Sequence, residues 1–263
     1  KTAYEMKLFE DWGVEPLSAK PGPDEILEKA KKMTGKNPKT GEDNYGLFWS
    51  GNSLNGSTFV ALTLAYGAKG AEGTLKDVKS IKWHLNSPEM VKVLEWLKEA
   101  AQLPPKGFVN AQGAENFGLE KNNIAIALDS TGGSTMSEYR SKQNKELLDR
   151  FEPVMNMGPD GEGWVAVDPF VMAKNAKDVE ASWEVLKFLS GHMTQKYRYE
   201  NFSSTPTLKN ADFVTPEDKY VKKALEIAAV GHSELMDEAN PFYMSDIAPA
   251  INGFISQAAS GNA

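Results

Sequence analysis

The sequence predicts an α/β fold, and three observations predict it. Helical patterns dominate the chain, the strand-like runs between them are short, and the two kinds of segment alternate. The clearest helix opens at Ser87-Pro88-Glu89. That is a capping hydroxyl, a first-turn proline and an acid at the positive helix end. Its apolar stripe is Met90, Leu94, Leu97 and Ala101, and Pro104-Pro105 closes it. A second helix spans Asp24 to Met33, with Ile26, Leu27, Ala30 and Met33 on one face and Gly35 as its stop. A third starts at Asp178 and repeats Val179, Trp183, Leu186 and Leu189 before Gly191. Further helices are expected around 56–67, 134–149, 216–230 and 246–259. Strands are expected at Tyr45–Phe48, Ser80–Trp83, Ile124–Leu128, Phe151–Met155 and Val165–Ala173. Asn37-Pro38-Lys39-Thr40-Gly41 and Gly158-Pro159-Asp160-Gly161 read as turns, the second as a crossover between lobes. There is no internal repeat and no low-complexity tract.

Composition narrows the function. The 263 residues are 41% hydrophobic and 25% charged, the usual range for a globular chain. No apolar run approaches the ~18 residues of a membrane span. The net charge of -7 argues against a general nucleic-acid binder, which needs a surplus of Lys and Arg. There is no cysteine, so disulfides, thiolate metal sites and cysteine nucleophiles are excluded together. The lack of thiols suits an exported protein. The chain opens on Lys1 without a signal peptide and closes on Gly261-Asn262-Ala263 directly after a helical pattern. That is the pattern expected of a processed or excised product.

Signatures of catalysis are weak. His84, His192 and His232 are far apart and fall in no metal-ligand spacing. Ser53, in Gly51-Asn52-Ser53-Leu54-Asn55, misses the nucleophile elbow at its last position. No stretch completes a phosphate loop or a dinucleotide fingerprint, so no cofactor is expected. A glycosidase pair needs two carboxyls ~5–9.5 Å apart across a cleft. Most acids, such as Glu95, Glu99 and Glu184, lie on polar helix faces instead. Asp129 and Asp168 are the exceptions, because each ends or interrupts an apolar strand.

Four segments carry the composition of a binding cleft. They are Phe48 to Ser57, Asp129 to Ser134, Gly163-Trp164 through Asp168-Pro169-Phe170, and Asn240 to Ser245. In each, hydroxyls, amides or aromatics fall where regular structure turns into loop. Aromatic faces with a few placed polar groups suit a sugar. Trp49, Trp164 and Phe242 are equally well explained as packing residues, and the Ser/Asn/Gly clusters as loops.

An ordered set of segments resembles the family 1 extracellular solute-binding proteins, the large group that includes the maltose-binding protein. The set begins with Tyr4-Glu5-Met6-Lys7-Leu8-Phe9-Glu10-Asp11-Trp12-Gly13, Asp24 through Gly35 and Asn44-Tyr45-Gly46-Leu47-Phe48. It continues with Ala65-Tyr66-Gly67-Ala68-Lys69-Gly70, Leu85-Asn86-Ser87-Pro88-Glu89 and Asn123 through Leu128. Val179 through Leu189 and Ser204-Thr205-Pro206 complete it. The resemblance implies a periplasmic-binding-protein-like (type II) α/β fold of two lobes around a solute cleft. It implies that this chain is essentially the C-lobe, at 1–160 with 216–263, plus a crossover and N-lobe remnant at 161–215. A first N-lobe segment has no counterpart here.

The same resemblance places ligand contacts at Trp49, Asn52, Asn55 and Ser57, before an expected helix. It places others at Ser130 and Thr131, where the family often has an aromatic and this chain has none. Trp164 joins them from the third segment, and Phe242 and Tyr243 lie near the C-terminal helix. The expected role is the extracytoplasmic solute-binding component of an ABC importer, periplasmic or lipid-anchored. Its expected partners are a mono- or oligosaccharide and the importer's membrane subunits, with no catalysis. A carbohydrate-active enzyme (glycosidase or lyase) and a stand-alone interaction domain are the competing readings. An acid pair across one cleft would favour the first, and a large apolar patch independent of the absent segment would favour the second.

Overall fold

The computed structural model describes residues 2–49, 57–74, 76–106, 123–128, 145–163, 165, 169–202, 204–231 and 243–262. Its strands are β1 (Thr2–Glu5), β2 (Gly35–Lys36), β3 (Asp43–Phe48), β4 (Ala71–Thr74), β5 (Asp77–Trp83), β6 (Ile124–Ala127) and β7 (Phe151–Val154). Its α-helices are α1 (Met6–Trp12), α2 (Pro23–Lys32), α3 (Ser57–Tyr66), α4 (Pro88–Ala100), α5 (Lys145–Arg150), α6 (Val179–Ser190), α7 (His192–Phe202), α8 (Lys219–Val230) and α9 (Ala248–Ala259). A 3-10 turn at Pro159–Gly161 and a π-helical turn at Tyr243–Ile247 complete the described elements.

Five strands form one sheet in the order β2-β3-β6-β1-β7, and β4 pairs with β5 in a separate hairpin. Within the large sheet only β3 and β6 run parallel, pairing Tyr45 with Ile124, Leu47 with Ile126 and Phe48 with Ala127. β1 lies antiparallel between β6 and β7. β6 is buried at every position, as a central strand covered on both faces should be.

Helices cover the sheet because their apolar stripes have nowhere else to go. α2 buries Ile26, Leu27 and Ala30 and packs against β3 and β6. It comes so close to β3 that a Cβ on Gly46 would lie 1.8 Å from the Ala30 carbonyl oxygen. α4 begins as expected, with the Ser87 hydroxyl accepting from the Met90 N–H at 3.2 Å. It is tied to α2 by the Trp96 indole N–H, which donates to the Pro23 carbonyl at 2.9 Å. α9 inserts Ile251, Ile255 and Ala258 into the same core, and the Gln102 amide donates to the Ala258 carbonyl. That core draws on residues 4–157 and 251–258.

The turn at 37–41 is held by a buried acid. Asp11 accepts from Lys7 at 2.8 Å and from the Asn37 amide N–H at 3.2 Å, while Asn37 Oδ1 accepts from the N–H groups of Lys39 and Thr40. Burial pushes the Asp11 carboxyl up. The hydrogen bonds from Lys7 and Asn37, with the charges of Lys7 and Lys39, outweigh it and hold the group below its usual value.

Residues 161–215 are built differently. The strand expected at Val165–Ala173 does not show at its described residues: 165 and 169–173 are irregular. The run has the apolar content of a strand, but its described residues join neither sheet. α6 is capped by Asp178, which accepts from the Ala181 N–H at 2.9 Å, yet it has no buried residue. α7 packs on α6 and buries only Tyr199. The Tyr199 hydroxyl donates to Asp218 at 2.9 Å and accepts from the Thr215 N–H at 3.2 Å, which ties α7 to the start of α8. α8 in turn grips the sheet edge. Tyr220 donates to the Phe151 carbonyl at 3.0 Å and Lys219 pairs with Glu152 at 3.1 Å.

Two expected outcomes follow from this packing. Gly46→Ala sets a methyl against α2 backbone, so urea denaturation should show a loss of about 1–3 kcal/mol; an unchanged midpoint contradicts the close approach. Asp11, with its folded pKa depressed below 3.8, contributes stability that is present above that value and lost as the pH falls through the folded pKa. Asp11→Asn should therefore flatten the fall in urea midpoint below pH ~4. An acid titration identical to that of the unsubstituted protein would contradict it.

Candidate functional site

The parallel pair fixes where the polar loops begin. The Leu128 N–H donates to the Phe48 carbonyl at 2.7 Å, one step beyond the β3–β6 register. The carboxyl ends of the two strands therefore lie side by side, and segments 50–56 and 129–144 leave from adjacent points. In sheets with parallel strands, the crevice outside the carboxyl ends is where ligands seat. Segment 50–56 leads directly into α3 at Ser57, and a helix start offers backbone N–H groups that no intrahelical acceptor uses.

α3 is held rigidly. Its sequence is apolar nearly all round, and Phe59, Val60, Ala61 and Leu62 are all buried, the mark of a helix enclosed on every side. At its first turn Thr58 is 3% exposed. The Thr58 hydroxyl has no hydrogen-bond partner among the described residues. The contrast is Thr63 on the same helix, whose hydroxyl donates to the Val60 carbonyl at 2.8 Å. A buried hydroxyl left without a partner costs about 1–3 kcal/mol, so Thr58 joins the candidate residues. The signal in the sequence was a second hydroxyl directly after Ser57 at the head of an apolar helix.

Trp49 lies in the core cluster and is 0% exposed. No face of its indole is open to a ligand in this conformation. It anchors the strand end from which segment 50–56 departs. Ser57 opens α3 and Tyr243 opens the π-helical turn before α9. Asn52, Asn55, Ser130, Thr131, Trp164 and Phe242 lie outside the described residues, as do Asp129, Asp168 and His232.

The remaining titratable groups form no second centre among the described residues. No cluster of three or more His, Asp or Glu could hold a metal ion there. His192 meets Asp212 at 2.6 Å on the surface, and this contact holds the Asp212 carboxyl below its ordinary value. His84 stands 3.5 Å from Glu72. A separate pocket of about 200 Å³ lies on the α6–α7 pair, lined by Phe170, Leu189, Gln195, Arg198 and Thr207 among others. Different elements form it from those at the β3 and β6 ends. No described helix is long and apolar enough to cross a membrane.

Comparison with known proteins places this geometry. No curated protein matches the sequence. Among solved structures, a putative oligosaccharide periplasmic-binding protein from a Synechococcus species in complex with zinc is 16% identical, with a TM-score of 0.69; the match covers 100% of this chain and 65% of that one. An Agrobacterium vitis ABC transporter solute-binding protein with bound D-mannitol is 19% identical, with a TM-score of 0.64 and coverage of 100% and 66%. A Listeria monocytogenes ABC substrate-binding protein in complex with cycloalternan is 17% identical, with a TM-score of 0.63 and coverage of 100% and 64%. The chain thus spans about two thirds of the length of these structures, and at such identities they show a shared fold. The sequence itself matches the bacterial extracellular solute-binding proteins over residues 1–196. Three quarters of the chain lies within that match, and the chain belongs to this family.

Proposed function

We propose that this chain is the larger part of the solute-binding component of an ABC importer, that it acts outside the cytoplasm, and that its solute is a small carbohydrate. The observation that carries the reading is the side-by-side carboxyl ends of β3 and β6, where two segments rich in hydroxyls and amides begin. Membership of an extracellular solute-binding family supports it. So do the ligands bound in similar structures: α-D-tagatose, D-mannitol, cycloalternan and maltose. On this reading residues 1–160 with 216–263 form one lobe. Residues 161–215 are the crossover and a remnant of the other, and the cleft is completed by that second lobe. The protein binds its solute without transforming it.

The chemistry of the site follows from its residue types. Asn52 and Asn55 both donate and accept, so each can hold a sugar hydroxyl in either role. Ser57, Thr58, Ser130 and Thr131 add hydroxyls, and the α3 start adds N–H groups that no intrahelical acceptor uses. Trp164, Phe242 and Tyr243 are the aromatics left to stack on the apolar face of a ring. Trp49 serves as a packed core residue at the end of β3. A solute that touches both lobes selects the closed state by differential binding, and the closed form meets the importer's membrane subunits.

The test is calorimetric titration of the complete two-lobed protein with tagatose, mannitol, maltose and longer maltooligosaccharides. One of these should bind, and Asn52→Ala and Asn55→Ala should each weaken it about 2- to 12-fold, the worth of one hydrogen bond. Trp49→Ala should instead lower stability by about 3–5 kcal/mol, as loss of a core aromatic does. Binding that survives both asparagine substitutions moves the site elsewhere. A Trp49→Ala protein of full stability and lost affinity returns the indole to the cleft.

A further inference from the structure

The connection between α7 and α8 has no regular secondary structure: its described residues, 204–218, form neither helix nor strand. A segment of that length has no ladder hydrogen bonds to hold it and needs other contacts. Among the described residues, α7 supplies them at three points. Gln195 clamps the near end, where its Oε1 accepts from the Thr207 N–H at 2.8 Å and its Nε2 donates to the Thr207 hydroxyl at 3.0 Å. Tyr199 clamps the far end, where its hydroxyl accepts from the Thr215 N–H at 3.2 Å and donates to Asp218 at 2.9 Å. Between them His192 Nε2 meets Asp212 Oδ1 at 2.6 Å.

The middle contact differs from the other two in chemistry. Amide and phenol hydrogen bonds keep their charge state across the neutral range, whereas an imidazole changes charge between about pH 5 and 8. Phe213 joins this contact to its neighbour. Its ring is half-buried and lies 5.0 Å from the His192 ring and 5.8 Å from the Tyr199 ring. A shift of Asp212 away from His192 moves the adjacent Phe213, so the far clamp feels the middle one.

The surrounding charges leave this pair to respond by itself. α7 begins at His192, at the positive end of the helix dipole, which disfavours an imidazolium there; the Asp212 carboxylate opposes that effect. The His192 hydrogen bond and charge, with a smaller part from Lys196, hold the Asp212 carboxyl below its ordinary 3.8. Lys196 also stands 3.8 Å from Glu200. On α6, Lys187 is held by Glu184 at 2.6 Å, and at the start of α8 Asp218 is taken by Tyr199. The Asp212 contribution is present above the ordinary carboxyl value and lost as the pH falls through the depressed one. At the other end, the charge attraction is lost as the imidazole gives up its proton. The pair therefore holds best in mildly acid solution, and by a hydrogen bond without the cationic charge above it.

We propose that His192 and Asp212 form a proton-operated clasp on the α7–α8 connection, and that pH sets how readily this connection opens. The two side chains are 51% and 67% exposed, and an exposed pair contributes little to global stability. Its effect is local. α7 buries only Tyr199, so few other contacts resist opening. The clasp stands on the geometry of the described residues alone. Its use rests on the reading above, in which the protein acts outside the cytoplasm, where the pH is not held constant, and residues 161–215 link the lobes.

The experiment is amide hydrogen exchange in the complete protein without solute, at about pH 5.5 and about pH 8, on either side of the imidazole range, with each rate referred to the intrinsic rate at that pH. The Val214 and Thr215 amides, bonded to the Ala211 carbonyl and the Tyr199 hydroxyl, should lose about 2- to 5-fold protection at the higher pH. His192→Gln keeps a donor but no titrating charge, and should show the same protection at both. His84→Gln, at the separate Glu72 contact, should keep the fall. NMR titration of the unsubstituted protein is independent of variants: the His192 ring signal and the Phe213 amide should move in the same pH window. Equal protection at both pH values without substitution, a fall that persists in His192→Gln, or a His192 ring that titrates without moving Phe213 would each overturn the proposal. No sugar enters these measurements, so a failed clasp and a failed solute titration are read separately.

Discussion

The parallel pairing of β3 with β6 is the constraint on which the rest of the lobe depends. Parallel neighbours cannot be joined by a tight turn, so the chain between them must cross over and build structure on the way. Here that passage contains α3, the β4–β5 hairpin and α4. α3 and α4 pack on each other, and α4 hydrogen-bonds to the start of α2. α2 then lies on β3 and β6 themselves. The crossover thus closes on the pair that made it necessary, and Gly46 permits the contact because it lacks a side chain.

The same pairing connects fold to function. A register that aligns Phe48 with Ala127 leaves two strand ends level, and the polar segments start from that level edge. Rigidity beneath them is supplied by buried apolar groups: Trp49 below one strand end, and Phe59 and Leu62 on α3. Inside this packed base the Thr58 hydroxyl is a polar group that the described fold leaves without a hydrogen bond.

Elements with strong local signals were legible in the sequence. α4 and α6 declared themselves through their caps, Ser87 and Asp178, and both caps are made. β6 and β7 fell within the expected runs, while β3 and β5 contain theirs and start two and three residues earlier. β1 did not announce itself, because four residues carry little pattern and its partners are more than a hundred positions away. α7 was missed for a different reason. His192-Met193-Thr194-Gln195-Lys196-Tyr197-Arg198 has no apolar period, and the helix is fixed by contact with α6 and by the Tyr199 hydrogen bonds. The apolar run at 165–173 misled in the opposite direction, since composition cannot show whether a strand has a neighbour. At the candidate site, most of the expected contact residues lie outside the described residues. Nothing in a single sequence distinguishes a core indole from one that faces a cleft, and Trp49 is buried in the core.

Two bodies of unequal support result. The sheet, α1 to α4 and α9 share one buried core, whereas α6 and α7 bury one side chain between them. Local stability follows buried apolar contact, so the two should open independently. Native-state hydrogen exchange on this chain measures that difference directly. The account predicts exchange near the global limit for the amides of Leu47, Ile126 and Leu97, and exchange faster by orders of magnitude throughout α6 and α7. Equal protection in both bodies of a monomeric chain would contradict it.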